Sequence, residues 1–204
     1  NDPTVIPPAL ATKYRPFLSQ IEVPEDLVLA VEALDGSVGH SRVVALLSYA
    51  IAARLDLNED LKKTVLYAGY VQDLGKEAVP HHILNRTSSL TEQEAKLLER
   101  YVQESVATLK RLGYVDPRLL EIINHHHERW IGSGYPAGLM GEAIPIGARI
   151  TAVAEAYSAL TSWRPYREPW DPRVALSELR KGVEKGYYDP QVVEALVDLL
   201  KSPS

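Results

Sequence analysis

His126 and His127 stand side by side at the end of a helix-like run and lead through Glu128-Arg129-Trp130-Ile131 into Gly132-Ser133-Gly134-Tyr135-Pro136. Histidine is the commonest metal ligand among side chains, and an adjacent pair opening into a glycine-rich loop suits a metal centre beside a substrate loop. His40, Asp73 and Glu155 carry the right donors to join the pair. Imidazole together with carboxylate suits iron, manganese or zinc. For any one of these residues, the commoner meaning is a satisfied core or surface side chain. His125 extends the run, but neighbouring helical positions turn by about 100°, so three consecutive histidines cannot face one ion, and His125 reads as a spectator. His81 and His82 follow Pro80 and read as exposed polar residues in a short connection.

Three cations have phosphate chemistry within reach of the same set. Lys76 lies three residues past Asp73, and Arg164 and Arg167 flank Pro165-Tyr166 just after the segment holding Glu155. Arginine offers phosphate a fork of donors and lysine a point charge. Solvated surface charge is the plainer reading of each. Trp130, Tyr135 and Trp163 have faces that stack on a purine and that pack equally well in a core.

These residues must be positioned by helices. The hydrophobic spacing predicts helices over 24–34, 40–55, 58–73, 91–112, 116–128, 145–162, 171–181 and 189–201, with no convincing alternating strand, hence an all-α bundle of about seven or eight helices. Asp116-Pro117, Asp171-Pro172 and Asp189-Pro190 each put an N-capping acid before a proline at the first helical position. Thr91 with Glu94 forms a capping box, and Gly113 and Gly182 suit C-caps. His40 shares a face with Val44, Leu47 and Ile51. Leu61, Val65 and Ala68 lead to Gln72, with Asp73 beside it. Leu119 and Ile122 lead to His126, and Leu120 and Ile123 to His127, so both histidines are expected on the inward half of one helix. Ala148, Ala152, Glu155 and Ala159 form a narrow stripe of small residues around one carboxylate. Residues 1–20, with Pro3, Pro7, Pro8 and Pro16, read as an arm or linker remnant, and 21–204 as the helical domain.

Composition narrows the function classes. At 46% hydrophobic over 204 residues, the chain can bury a substantial core. A net charge of −5 gives no reason to expect a duplex-binding surface. Cysteine is absent, which excludes disulfides and thiolate metal sites and fits a reduced, cytoplasmic setting. The longest apolar stretch, Val43 to Leu55, is too short to span a bilayer and contains Ser48 and Arg54. The start lacks the pattern of a signal peptide, and because it opens on Asn1 the sequence reads as a fragment of a longer protein.

A series of pieces in order resembles the HD-GYP family of metal-dependent cyclic di-GMP phosphodiesterases, from about residue 36 to about 196. They are Gly39-His40-Ser41-Arg42-Val43, Asp73-Leu74-Gly75-Lys76, Ile83-Leu84-Asn85, His126 to Pro136, Leu139 to Pro145, Ala148-Arg149-Ile150, Arg164-Pro165-Tyr166-Arg167 and Asp189-Pro190. The resemblance implies an HD-domain-like helical bundle. It implies metal ligands at His40, Asp73, His126 and His127, with Glu155 at the place of a late aspartate. One or two iron or manganese ions would be held, or none in a fully degenerate site. Asp73 and Lys76 fall on catalytic positions. Lys76, Arg164, Arg167 and the Gly134-Tyr135-Pro136 loop fall on dinucleotide-contacting positions, and the loop also on a surface that meets diguanylate cyclase domains.

The departures are specific. Gln72 stands where the family has the histidine of its His-Asp pair, Tyr101 where it has another histidine ligand, and Ile131 and Ser158 where it has aspartates. Tyr101, with a phenol pKa ordinarily near about 10, is a poor ligand at neutral pH. In a two-metal arrangement, the ion held by His40, Asp73 and Glu155 and the ion held by Asp73, His126 and His127 would each lack one histidine. The sequence therefore predicts a degenerate signalling domain with weak or no phosphodiesterase activity that binds cyclic di-GMP or a partner protein. The competing expectation is an active metal-dependent phosphodiesterase.

Overall fold

The computed structural model describes residues 40–72, 91–161 and 168–201, with His40 described by its backbone alone. The helix expected over 24–34, the residues Asp73, Lys76, His81, His82, Trp163, Arg164 and Arg167, and the side chain of His40 lie outside the described residues. Among the described residues there are seven α-helices and no strand. They are α1 (His40–Arg54), α2 (Glu59–Val71), α3 (Glu92–Arg111), α4 (Pro117–His125), α5 (Ile146–Thr161), α6 (Pro172–Glu184) and α7 (Pro190–Lys201), with a 3-10 turn at Gly141–Ala143.

Local chemistry explains most of the boundaries. The Thr91–Glu94 capping box is formed in full, satisfying two N–H groups at the start of α3. Asp116 accepts from the Arg118 N–H and Asp171 from the Arg173 N–H, each with proline in the first turn. Asp189 accepts from the Gln191 N–H at 2.9 Å and starts α7 the same way. Gly113 takes φ of +92° just past α3, a conformation that costs glycine little. Gly182 is not a C-cap. It lies inside α6, which continues to Glu184, and a Cβ there would come within 2.4 Å of the Tyr188 ring.

Helices α1, α2 and α5 form the centre, and α7 covers α1 and α5. Val44, Leu47, Ile51, Val65, Ile150, Val153 and Leu196 are fully buried there. Each such side chain contributes about 1.5–3 kcal/mol by leaving water, so Leu47→Ala is of the kind that costs about 2–5 kcal/mol. Close approach of α1 and α2 depends on Gly69, where a Cβ would meet the Ala45 Cα at 2.9 Å. Helix α3 packs on α4 and carries a small separate apolar cluster of Leu98, Tyr101 and Val102. That cluster brings Tyr101 against the end of α4.

Candidate functional site

Helix α4 ends at His125, and His126 is its C-cap with φ −72° and ψ −8°. The helix expected over roughly 116–128 therefore ends three residues earlier, while His126 is buried and His127 partly buried, on the inward side as expected. The pair sits in the turn leaving the helix, where backbone groups lack helical partners and side chains must supply them. His126 does so. Its Nδ1 lies 2.6 Å from the Ile123 carbonyl oxygen. A carbonyl only accepts, so the Nδ1 of the neutral ring carries the hydrogen and Nε2 presents a lone pair.

That lone pair faces the Tyr101 hydroxyl at 3.1 Å, and the Nε2 of His127 lies 2.9 Å from the same oxygen. Tyr101 Oη donates its one hydrogen to His126, and His127 Nε2–H donates to Tyr101 Oη. Tyr101 and His126 are each only 2% exposed. Tyr135 stacks on the far side of His127, with ring centroids 5.2 Å apart and planes 12° from parallel. Burial, followed by the charge of Glu155, holds the Tyr135 phenol well above the ordinary tyrosine range. The same two causes push the Tyr188 phenol up to about 12. Glu155, half-buried on α5, is thus within electrostatic reach of both phenols.

The Gly134-Tyr135-Pro136 loop is held by a residue that the sequence reading passed over. Glu128 is buried and accepts from the backbone N–H groups of Ala137 (3.2 Å), Gly138 (2.8 Å) and Leu139 (3.3 Å). His125, read as a spectator, adds a fourth contact from Nδ1 at 2.9 Å. A turn that leaves several N–H groups unpaired needs an acceptor, and that need was the available signal. Gly134 completes the closure: a Cβ there would lie 2.4 Å from the His127 carbonyl oxygen, 2.5 Å from the Arg129 nitrogen and 2.6 Å from the Glu128 Cα. On its other side the loop is tied to the α6–α7 turn by Trp130 N–H to the Tyr187 carbonyl (3.2 Å) and Ile131 N–H to the Gly186 carbonyl (2.8 Å). A buried ion pair of Arg149 and Asp189 at 2.8 Å fixes the start of α5 to the start of α7.

The structure thus brings His126, His127, Tyr101 and Tyr135 into contact, with Glu155 nearby. Ser158 is buried and Ile131 is 54% exposed at two places where the resemblance expects carboxylates. Among the described residues, no three histidine, aspartate or glutamate side chains converge as a cation cage. One phenol engages the Nε2 atoms of both histidines, the atoms that a metal would use. Gln72, at the end of α2, is wholly buried, and among the described residues neither atom of its side-chain amide has a hydrogen-bond partner.

Residues 23–192 match the family model of the HD domain. A cyclic di-GMP phosphodiesterase of Pseudomonas aeruginosa is 39% identical over 158 residues, covering 78% of this chain and 38% of the relative. The cyclic di-GMP phosphodiesterase response regulator RpfG of Xanthomonas campestris pv. campestris is 36% identical over 209 residues, covering 93% of this chain and 52% of the relative. The chain thus spans about half or less of the length of these relatives. Among solved structures, an HDG"Y"P protein from Bdellovibrio bacteriovorus superposes with a TM-score of 0.67 at 20% identity, covering 95% of this chain and 62% of that one. The HD domain of the L. monocytogenes phosphodiesterase PgpH, in complex with cyclic-di-AMP, superposes with a TM-score of 0.59 at 17% identity, covering 88% of this chain and 95% of that one. With an all-helical fold, a paired histidine turn and a clamped Gly-Tyr-Pro loop, the chain belongs to the HD-GYP family of HD domains.

Proposed function

We propose that this chain is a degenerate HD-GYP signalling domain with weak or no phosphodiesterase activity, which binds cyclic di-GMP or a related cyclic dinucleotide in the cytoplasm. The observation that carries this reading is the Tyr101 hydroxyl, which engages His126 and His127 together. Metal-activated hydrolysis in such a site needs those imidazole nitrogens for the ion. Phosphate recognition does not depend on them. By the family resemblance Lys76, Arg164 and Arg167 supply the cations, and Gly134, Tyr135 and Pro136 contribute a clamped loop. His40, Asp73 and Glu155 are the remaining metal donors of the reading, for iron or manganese.

Calorimetric titration of the domain with cyclic di-GMP, with and without Mn²⁺, tests the ligand. Saturable binding that is insensitive to metal and weakened in Arg164→Ala and Arg167→Ala is expected. Absence of binding in both conditions would turn the reading toward a protein partner of the diguanylate cyclase type. The exposed Ile131 and Met140 on the loop favour that second reading. Relatives named as phosphodiesterases support a third, an active metal-dependent enzyme using Asp73 and Lys76. Chromatographic appearance of a linear dinucleotide or GMP, abolished in His126→Ala, would establish the enzyme and displace the degenerate reading.

A further inference from the structure

We propose that Tyr101 is a built-in lock on the histidine pair, its hydroxyl bridging His126 and His127 in place of a cation and holding the site metal-free. This rests on the degenerate reading above and assigns it to one residue. The bridging oxygen lies 3.1 Å from one Nε2 and 2.9 Å from the other. A metal bound by both nitrogens needs both lone pairs, at about 2.0–2.1 Å. The metal-free bridge uses them differently. His126 accepts, because its Nδ1 hydrogen is committed to the Ile123 carbonyl. His127 donates, so its Nε2 carries a hydrogen and offers no lone pair.

The phenol cannot easily swing away. Tyr101 is 2% exposed and packs with Leu98 and Val102 on its own helix. Tyr135, held by the Glu128-clamped loop, stacks on His127 and packs against the same cluster. An ion would have to displace a buried aromatic side chain or strip the phenolic hydrogen and reverse the His127 tautomer.

One competing geometry has the same spacing. Cis ligands of an octahedral ion with bonds of about 2.1 Å lie about 3 Å apart, so a tyrosinate ligand would also place these three atoms at their observed separations. The two differ in observables. Long-range ¹H–¹⁵N spectra of the wild-type domain should show the Nδ1–H form of His126 and the Nε2–H form of His127, unchanged when Zn²⁺ is added. Metal analysis after incubation with Mn²⁺ or Zn²⁺ and dialysis should find no stoichiometric ion. Tyr101→His should then bind at least about 10–100-fold more tightly than wild type, the range by which loss of even a supporting group weakens metal sites. Tyr101→Phe, which removes only the hydroxyl, should release the tautomer of His127.

Three results would overturn the lock: stoichiometric metal on the wild type, a visible tyrosinate charge-transfer band with ferric iron, or a His127 tautomer unchanged in Tyr101→Phe. A folded Tyr101→His that gains no metal would do the same. If that variant does not fold, the wild-type spectra and Tyr101→Phe still decide. Nucleotide binding is read separately. A domain that takes up neither metal nor cyclic di-GMP keeps the lock and loses the ligand, whereas metal-dependent turnover of cyclic di-GMP by wild type keeps the ligand and removes both the lock and the degenerate reading.

Discussion

Glu128 and Gln72 are both buried polar side chains beside the site, and they sit in opposite conditions. Glu128, 5% exposed, collects three backbone N–H groups and the His125 imidazole. Gln72, 0% exposed, has an amide with no hydrogen-bond partner on either atom. A carboxylate ringed by donors rigidifies what it touches, whereas a buried unpaired amide costs stability and holds nothing. Glu128 serves the loop scaffold, and that scaffold is complete. Gln72 occupies the place where the family resemblance puts a metal-binding histidine, and among the described residues its amide has no partner.

The strongest way to break this comparison is to remove the satisfied member. Glu128→Ala leaves three loop N–H groups without their acceptor and should cost roughly 3 kcal/mol, since hydrogen bonds to charged groups are each substantial. Urea denaturation should show it, together with loss of the ring-current shifts from the His127–Tyr135 stack. An unchanged midpoint would mean that the clamp contributes nothing.

Gly134→Ala tests the same loop from its backbone side. The added Cβ lands within 2.4–2.6 Å of three main-chain atoms, which cannot rotate away. A loss of about 2 kcal/mol is expected, in the range of overpacked sites. A variant as stable as wild type would show that the loop moves off the His127 turn freely.

The orphaned member predicts the reverse sign. Gln72→Met keeps the length of the side chain and removes both unpaired amide atoms, so stability should rise by about 1 kcal/mol. A loss of stability would reveal a partner for the amide and dissolve the contrast with Glu128.

The smallest effect at neutral pH belongs to Tyr188, whose phenol is pushed up to about 12 by burial and then by Glu155. The unfolded phenol titrates near 10.0. The folded state therefore favours the neutral form. Its stabilising contribution is complete below about pH 10 and is lost as pH rises through about 12. Tyr188→Phe should leave stability at pH 7 nearly unchanged and flatten the alkaline arm of a denaturation–pH profile. An alkaline arm identical to wild type would place the phenol's titration elsewhere.

How much of this was legible in the residue order divides along chain separation. The starts of α3, α4, α6 and α7 follow from caps and prolines within four residues of one another, and the boundaries agree with them. The core faces of α1 and α2 follow from helical spacing, and so does the closeness of His126 and His127, whereas the stripe Ala148, Ala152, Glu155 and Ala159 is not the core face of α5, which buries Ile150, Val153 and Tyr157 instead. The end of α4 does not follow from spacing either. Apolar periodicity continues to His127, but the helix stops at His125 because the His126 side chain bonds back to the Ile123 carbonyl.

The sequence by itself determined the all-helical class and the placing of most helix starts, because those depend on periodicity and on contacts a few residues long. Only the tertiary structure decided what the histidine pair meets. Tyr101 meets His126 across 25 residues, Glu128 meets Gly138 across 10, and Arg149 meets Asp189 across 40. No local pattern encodes such meetings. They are set by how α3 packs on α4 and how the loop folds back, and through them Tyr101 becomes the partner of both histidines.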